Sequence, residues 1–121
     1  MRPSFGKFIR KKRLALLSES ADFSLRRVAL EIGVEPSYLS KVERGIVPPP
    51  SEATILRLAK TLSEDGDILL ALAGKVSTDV QQAILKRPEM FTNLIRLLKH
   101  APNREVSGMV REARAKYGKR K

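Results

Sequence analysis

Lysine and arginine supply most of the chemistry that this chain can offer. The 121 residues include 24 of them against 13 acids, which gives a formal net charge of +11. The excess lies at the two ends, because the stretches 2–13 and 99–121 each carry a net charge of +6, whereas residues 14–98 are nearly neutral. A near-neutral centre with basic ends favours a polyanionic partner such as nucleic acid. The alternative is a solvated basic surface that serves only solubility.

Residue patterns for catalysis or metal binding are absent. The chain has no cysteine, which excludes disulfides, thiolate metal sites and cysteine nucleophiles. His100 is the only histidine, and no second histidine or acid stands at ligand spacing from it. The acidic stretch 64–67 is too short for a calcium-binding loop, and the chain has no glycine-rich phosphate loop or nucleophile elbow. We therefore predict no enzyme activity, no metal and no cofactor.

The strongest local pattern lies between Ser24 and Gly45, in the segment SLRRVALEIGVEPSYLSKVERG. Ser24 is a typical N-cap, and apolar residues then recur at helical spacing as far as Ile32. Gly33 ends this helix, since glycine tolerates a left-handed backbone best. Pro36 suits the first turn of a second helix, in which its missing N–H costs nothing. Two helices around a short turn with glycine form a helix-turn-helix pattern.

This segment resembles the DNA-binding core of the XRE family of bacterial and phage regulators, which includes the lambda and 434 repressors and Cro. The matching residues are Arg26-Arg27-Val28-Ala29, Ile32-Gly33-Val34, Ser37-Tyr38-Leu39-Ser40 and Val42-Glu43-Arg44-Gly45. With its flanking helices, the resemblance extends roughly from Phe5 to Gly74. It implies an all-α fold in which five helices form a lambda-repressor-like domain.

Cap residues and apolar spacing predict further helices on both sides of the motif, and no strand pattern is present. The predicted helices outside the motif cover about residues 5–17, 52–62, 67–74, 79–86, 88–99 and 104–117. We therefore predict a helix-turn-helix domain over residues 1–74, followed by a helical C-terminal extension with a basic tail over residues 75–121.

The resemblance also implies which side chains contact DNA, since the second helix of the motif would enter the major groove. The residues implied to contact bases are Glu35, Pro36, Ser37, Tyr38 and Lys41. Those implied to contact phosphates are Ser24, Arg26, Arg27, Ser40 and Arg44. Lys41 can donate to guanine, whereas Pro36 has no donor and can only pack, for instance on a thymine methyl group. Glu35 can accept from cytosine, or it only interacts favourably with the helix dipole. Tyr38 is alternatively a buried anchor between helices.

An ion pair is a further implication of the resemblance. In the family, an arginine at the position of Arg13 usually pairs with the glutamate near the end of the recognition helix, which is Glu43 here. The resemblance therefore implies a partly buried Arg13–Glu43 pair. Its role would be structural, because removal of either partner leaves the other as a buried charge without a counter-charge.

The C-terminal extension carries an apolar stripe that is too rich for a lone surface helix of a small domain. The residues that we expect at a dimer interface are Val80, Ile84, Phe91, Leu94, Ile95 and Leu98. Regulators that bind two half-sites are two-fold symmetric, which favours a second copy of the chain as the partner. Packing of the stripe onto the chain's own core is the alternative.

Together these features predict a cytoplasmic, nucleoid-associated homodimeric repressor that binds an operator in double-stranded DNA, in its own or a neighbouring operon. Two alternatives add a protein partner: an antitoxin of a toxin–antitoxin pair, or a repressor of a stress or defence locus controlled by an ImmA/IrrE-type metallopeptidase. A third alternative is a protein-interaction adaptor without a DNA role. No apolar run approaches the ~20 residues that span a membrane, so we predict no membrane partner.

Overall fold

The computed structural model describes residues 4–118, and the regular structure in this range is helical. The helices are α1 (Phe5–Leu17), α2 (Leu25–Ile32), α3 (Pro36–Glu43), α4 (Glu52–Leu62), α5 (Gly66–Leu72), α6 (Thr78–Lys86), α7 (Pro88–Leu98) and α8 (Asn103–Tyr117). One turn of 3₁₀-helix, Ala21–Phe23, lies between α1 and α2. No helix within the described range has both the length and the apolar character needed to cross a lipid bilayer. The predicted all-α class is confirmed.

Serine caps begin four of the α-helices. The hydroxyl oxygens of Ser4, Ser24, Ser51 and Ser77 accept hydrogen bonds from the backbone N–H groups three residues further on, at 3.1, 3.2, 3.4 and 3.1 Å. These bonds satisfy donors that have no partner within the helix itself. α5 begins at Gly66, one residue earlier than predicted, because the carboxylate of Asp65 caps it.

One apolar core holds α1 to α5 together. Its buried members are Phe5, Ile9, Val28, Ala29, Ile32, Leu39, Val42, Ile55, Leu58, Ala59, Leu62, Leu69 and Leu70. The helical spacing in α2 predicts three of these residues, and Leu25 at the start of the same helix packs at the margin of the core. Since α3 contributes Leu39 and Val42, the core fixes the second helix of the motif by one side.

α1 approaches the C-terminal end of α3 very closely at Gly6. Gly6 is buried in the first turn of α1. A Cβ atom placed there would contact the carbonyl oxygen of Val42 and lie 2.6 Å from the carbonyl oxygen of Glu43. Because a side chain has no room at this position, glycine is what allows the two helices to pack this closely.

A buried ion pair forms a second link between α1 and α3. Nε and Nη2 of Arg13 donate to the two carboxylate oxygens of Glu43 at 2.7 and 2.9 Å. Both residues are only 6% exposed. Nη1 of Arg13 also donates to the carbonyl oxygen of Phe23 at 3.3 Å, which attaches the segment that leads into α2. The pair that the resemblance implies is therefore present, with bidentate geometry.

The chain divides into two compact units, one that ends at Val80 and one that begins at Gln81. The predicted boundary lies earlier in the chain, after Gly74. The intervening residues belong to the first unit because the ammonium group of Lys75 donates to the carbonyl oxygen of Pro50, at 3.1 Å, just before α4. The hydroxyl of Thr78 likewise donates to the carboxylate of Glu52 at 3.3 Å.

The second unit contains the rest of α6 together with α7 and α8, and none of its described residues is buried. Ile84, Phe91 and Leu98 are half-buried and recur every seven residues. The exposed large apolar residues of α7 are Met90, Leu94, Ile95 and Leu97. A unit of this size without a buried side chain lacks a core of its own.

Replacement of Gly6 by alanine is expected to destabilise the protein by about 1–3 kcal/mol, because the added methyl group forces α1 away from α3. Thermal unfolding followed by circular dichroism measures the change. Gly108→Ala is the control, since the nearest atom to a Cβ atom there, Nη2 of Arg111, lies 3.7 Å away. Alanine at that helical site is expected to stabilise the protein by about 0.5–1 kcal/mol. An unchanged melting temperature for Gly6→Ala would contradict the close contact.

Glu43→Ala is expected to cost about 3–5 kcal/mol, because it leaves the buried guanidinium of Arg13 without its counter-charge. Urea unfolding of the purified protein measures this loss. Asp22→Ala is the matched control, because it removes a carboxylate from an exposed pair, Arg27–Asp22, at 2.9 Å. That change is expected to cost less than about 1 kcal/mol. Equal, small losses for the two variants would show that burial does not strengthen the Arg13 pair.

Candidate nucleic-acid interface

A three-residue turn joins α2 to α3. α2 ends at Ile32, and Gly33 adopts a left-handed conformation with φ of 79°. The N–H of Val34 then donates to the carbonyl oxygen of Ala29 at 2.9 Å, which closes the end of α2. α3 begins at Pro36, after an extended residue. The two helices and the turn have the arrangement that the sequence pattern predicts.

α3 is buried on one side only, through Leu39, Val42 and Glu43. The predicted base-contacting residues, which we call the outer face of α3, are Glu35, Pro36, Ser37, Tyr38 and Lys41. Glu35, Ser37 and Lys41 are exposed, and Pro36 and Tyr38 are half-buried. Tyr38 also packs against the core, and part of its side chain stays exposed. The side chain of Glu35 caps no helix N–H, which leaves its carboxylate available to a partner.

The two arginines in the first turn of α2 have different surroundings. Nη2 of Arg27 forms an ion pair with Oδ1 of Asp22 at 2.9 Å, and both side chains are exposed. Arg26 is exposed, and among residues 4–118 its side chain has no hydrogen-bond or ion-pair partner. Both arginines are predicted phosphate contacts. Arg26 can bind a phosphate without breaking an existing pair, whereas Arg27 would first have to leave Asp22.

The remaining predicted phosphate-contacting residues bond within the motif. Oγ of Ser24 accepts from the N–H of Arg27 at 3.2 Å. Nε of Arg44 donates to Oγ of Ser40 at 3.2 Å, across the last turn of α3. A hydroxyl that accepts one bond can still donate its proton, and a guanidinium has five N–H donors. These contacts therefore orient the three side chains and leave donors for a phosphate.

Arg57 positions the motif, a role that its place in the sequence does not predict. Nε of Arg57 donates to the carbonyl oxygen of Ile32 at 3.1 Å, and Nη2 donates to Oγ1 of Thr54 at 3.2 Å. The guanidinium thus satisfies a carbonyl at the C-terminal end of α2, next to the turn. No local pattern reveals this contact, since donor and acceptor are 25 residues apart in the chain.

The predicted dimer-interface residues divide into two groups by exposure. Val80, Leu94 and Ile95 are exposed, and Ile84, Phe91 and Leu98 are half-buried. His100 is exposed as well, and the described part of the chain contains no cluster of side chains suited to hold a metal ion. In the second unit, the exposed apolar residues of α7 are thus a surface that a partner can use.

Comparison with known proteins gives a family for the first unit. Residues 12–72 match the family model of the helix-turn-helix domain, a range that contains α2, the turn and α3. An uncharacterized HTH-type transcriptional regulator of Mycobacterium tuberculosis, from strains CDC 1551 and H37Rv, is 38% identical over 69 residues, or 57% of this chain and 45% of the relative. The chain therefore spans less than half the length of these mycobacterial relatives.

A second relative matches over a longer range. The HTH-type transcriptional regulator SlrR of Bacillus subtilis (strain 168) is 31% identical over 103 residues, or 74% of this chain and 68% of the relative. No solved structure matches the chain significantly. On the family model and on the extent of the match to the Bacillus protein, the chain belongs to the helix-turn-helix domain family.

Proposed function

We propose that this protein is a sequence-specific DNA-binding transcriptional regulator of the XRE type, and that it acts as a homodimeric repressor of its own or a neighbouring operon. The observation that carries the proposal is the outer face of α3, where Ser37 and Lys41 are exposed while Leu39 and Val42 anchor the helix in the core. A helix held by one side can enter the major groove of DNA. The names of the relatives support a role in transcription.

Some side chains of the motif would contact bases and so recognise the DNA sequence, and others would contact phosphates and so add affinity. The ammonium group of Lys41 can donate to O6 or N7 of guanine, and the carboxylate of Glu35 can accept from N4 of cytosine. The Ser37 hydroxyl can serve several bases. Arg26 would hold a phosphate and so fix the register of α3 on the duplex.

Repression requires only that the protein occupy its operator, so the proposed mechanism needs no catalytic group. The basic stretches 2–13 and 99–121 would add affinity that does not depend on sequence. This contribution weakens as salt rises, because each phosphate contact releases condensed counterions. Binding at physiological salt would then depend on the contacts made by the motif.

Dimerisation is proposed through α7. Leu94 and Ile95 are 47% and 58% exposed, and Met90 and Leu97 are exposed beside them on the same helix. A second copy would cover this surface and supply the core that the second unit lacks. It would also present two copies of α3 to the two halves of a symmetric operator.

A second candidate rests on the same exposed surface. If a toxin or a regulatory metallopeptidase covered α7 instead of a second copy, the protein would be an antitoxin or a protease-controlled repressor. The measurement that separates the two is the oligomeric state of the isolated chain. A monomer that binds operator DNA favours the partner-controlled alternatives, and a dimer favours the simple repressor.

Arg26→Ala is expected to weaken binding to DNA from the region upstream of the gene by about three- to tenfold, since it removes one charged phosphate contact. The slope of log affinity against log salt is expected to fall by about one. Fluorescence anisotropy across a salt series, with random DNA as competitor, measures both quantities.

Two variants control this prediction. Arg27→Ala should change the slope less, because the Arg27 guanidinium already pairs with Asp22. Lys60→Ala removes an exposed charge from α4, outside the motif, and should leave the slope nearly unchanged. Equal effects of Arg26→Ala and Lys60→Ala would mean that net charge alone governs the binding, against the proposal.

Leu94→Asp is expected to convert the dimer to a monomer, because it places a carboxylate in the apolar interface proposed on α7. Light scattering after size-exclusion chromatography gives the molecular mass. Ile68→Asp is the control, since Ile68 is 56% exposed on α5, outside that interface. A monomeric wild-type chain, or a Leu94→Asp variant that stays dimeric, would refute the interface.

A further inference from the structure

A shallow groove of about 550 Å³ lies between α2 and the start of α3. Its apolar lining residues are Leu30, Val34 and Pro36, and Arg26 and Glu35 line it as well. Leu30 is 76% exposed, whereas the other apolar residues of α2 are buried or half-buried. The amphipathic pattern of α2 is therefore broken at Leu30, the one apolar residue of this helix that lines the groove.

The groove lies between residues for which two different DNA contacts are proposed. Arg26 would contact a phosphate, and it precedes Leu30 by four residues, so the two side chains are neighbours on the surface of α2. Glu35 and Pro36, at the start of α3, would contact base edges. A DNA strand that meets both sets of residues has to pass over the groove.

The group that such a strand presents follows from the chemistry of the bases. On the major-groove edge of a base pair, C5 of the pyrimidine is the position nearest to the backbone of its own strand. Thymine carries a methyl group there, which is the apolar feature of the major-groove pattern. A groove between a phosphate contact and a base contact therefore faces this position.

The start of α3 offers few hydrogen bonds with which to read bases. Pro36 has no N–H donor, and an ionised Glu35 can only accept. An apolar contact is thus the main chemistry that the three lining residues Leu30, Val34 and Pro36 can supply. It matches a methyl group better than it matches a hydrogen-bonding edge.

We infer that Leu30, Val34 and Pro36 bind the C5-methyl group of a thymine in the operator. The inference rests on the proposed DNA-binding function and names the base that one part of that surface reads. Burial of one methyl group corresponds to about a fourfold gain in affinity. Leu30 supplies the most exposed apolar area of the groove and is therefore the residue to test.

The experiment removes the methyl group from the DNA and its contact from the protein. Selection from a library of random duplexes, with the full chain, gives a preferred duplex, and each thymine in it is replaced singly by uracil. At one position in each half-site, uracil is expected to lower the affinity of the wild-type protein by about fourfold. Leu30→Ala should bind the thymine duplex about fourfold more weakly and show no further loss with uracil.

Leu14→Ala is the matched control, since it shortens another exposed leucine, on α1, and should keep the full difference between thymine and uracil. No loss at any uracil position, or a Leu30→Ala variant that still distinguishes uracil, would overturn the inference. A gain from 5-methylcytosine without a thymine effect would also overturn it, in favour of a methylated cytosine. A selection that returns no preferred duplex would contradict the proposed function itself, and this inference with it.

Discussion

The orientation of α3 depends on the buried contact between Arg13 and Glu43. Two charges removed from water are stable only when their hydrogen bonds are nearly complete, so the pair tolerates few arrangements. The same guanidinium also bonds the carbonyl oxygen of Phe23, which joins α1, the entry to α2 and the end of α3 at one group. Arg10 adds a second positive charge 4.0 Å from the carboxylate. The apolar core resists separation of the helices, and the ion pair resists their sliding.

The motif was predictable because its determinants are local. Gly33 and Pro36 act through their own backbone geometry, and each serine cap acts over three residues, so a reading of neighbouring residues is sufficient to place α2 and α3. The contacts that orient the motif are not local in this sense. Arg57 bonds Ile32 across 25 residues, and Lys75 bonds Pro50 across the same separation. Sequence spacing carries no information about such pairs, which explains why neither the role of Arg57 nor the contact that attaches Lys75 to the first unit was predicted.

In the candidate site, too, the sequence does not predict the surroundings of single side chains. By sequence, Arg26 and Arg27 are equivalent cations in the first turn of a helix, yet only Arg27 lies next to Asp22. In α7, apolar spacing predicts the stripe but gives no ranking of its members. The structure separates the half-buried Phe91 from the exposed Leu94. Apolar spacing thus identifies which residues form the apolar face of a helix. It does not identify what packs against that face.

The separation of the two faces of α3 has a consequence for how this protein can change. Leu39, Val42 and Glu43 hold the helix, and none of them belongs to the outer face. Substitutions at Ser37 or Lys41 therefore alter no buried contact, so their cost in folding free energy should be small. Under the proposed function, selection can thus explore new operator sequences at these two positions without risking the fold. The same property would make the domain, if it binds DNA as proposed, a scaffold on which a designer can graft a different DNA specificity.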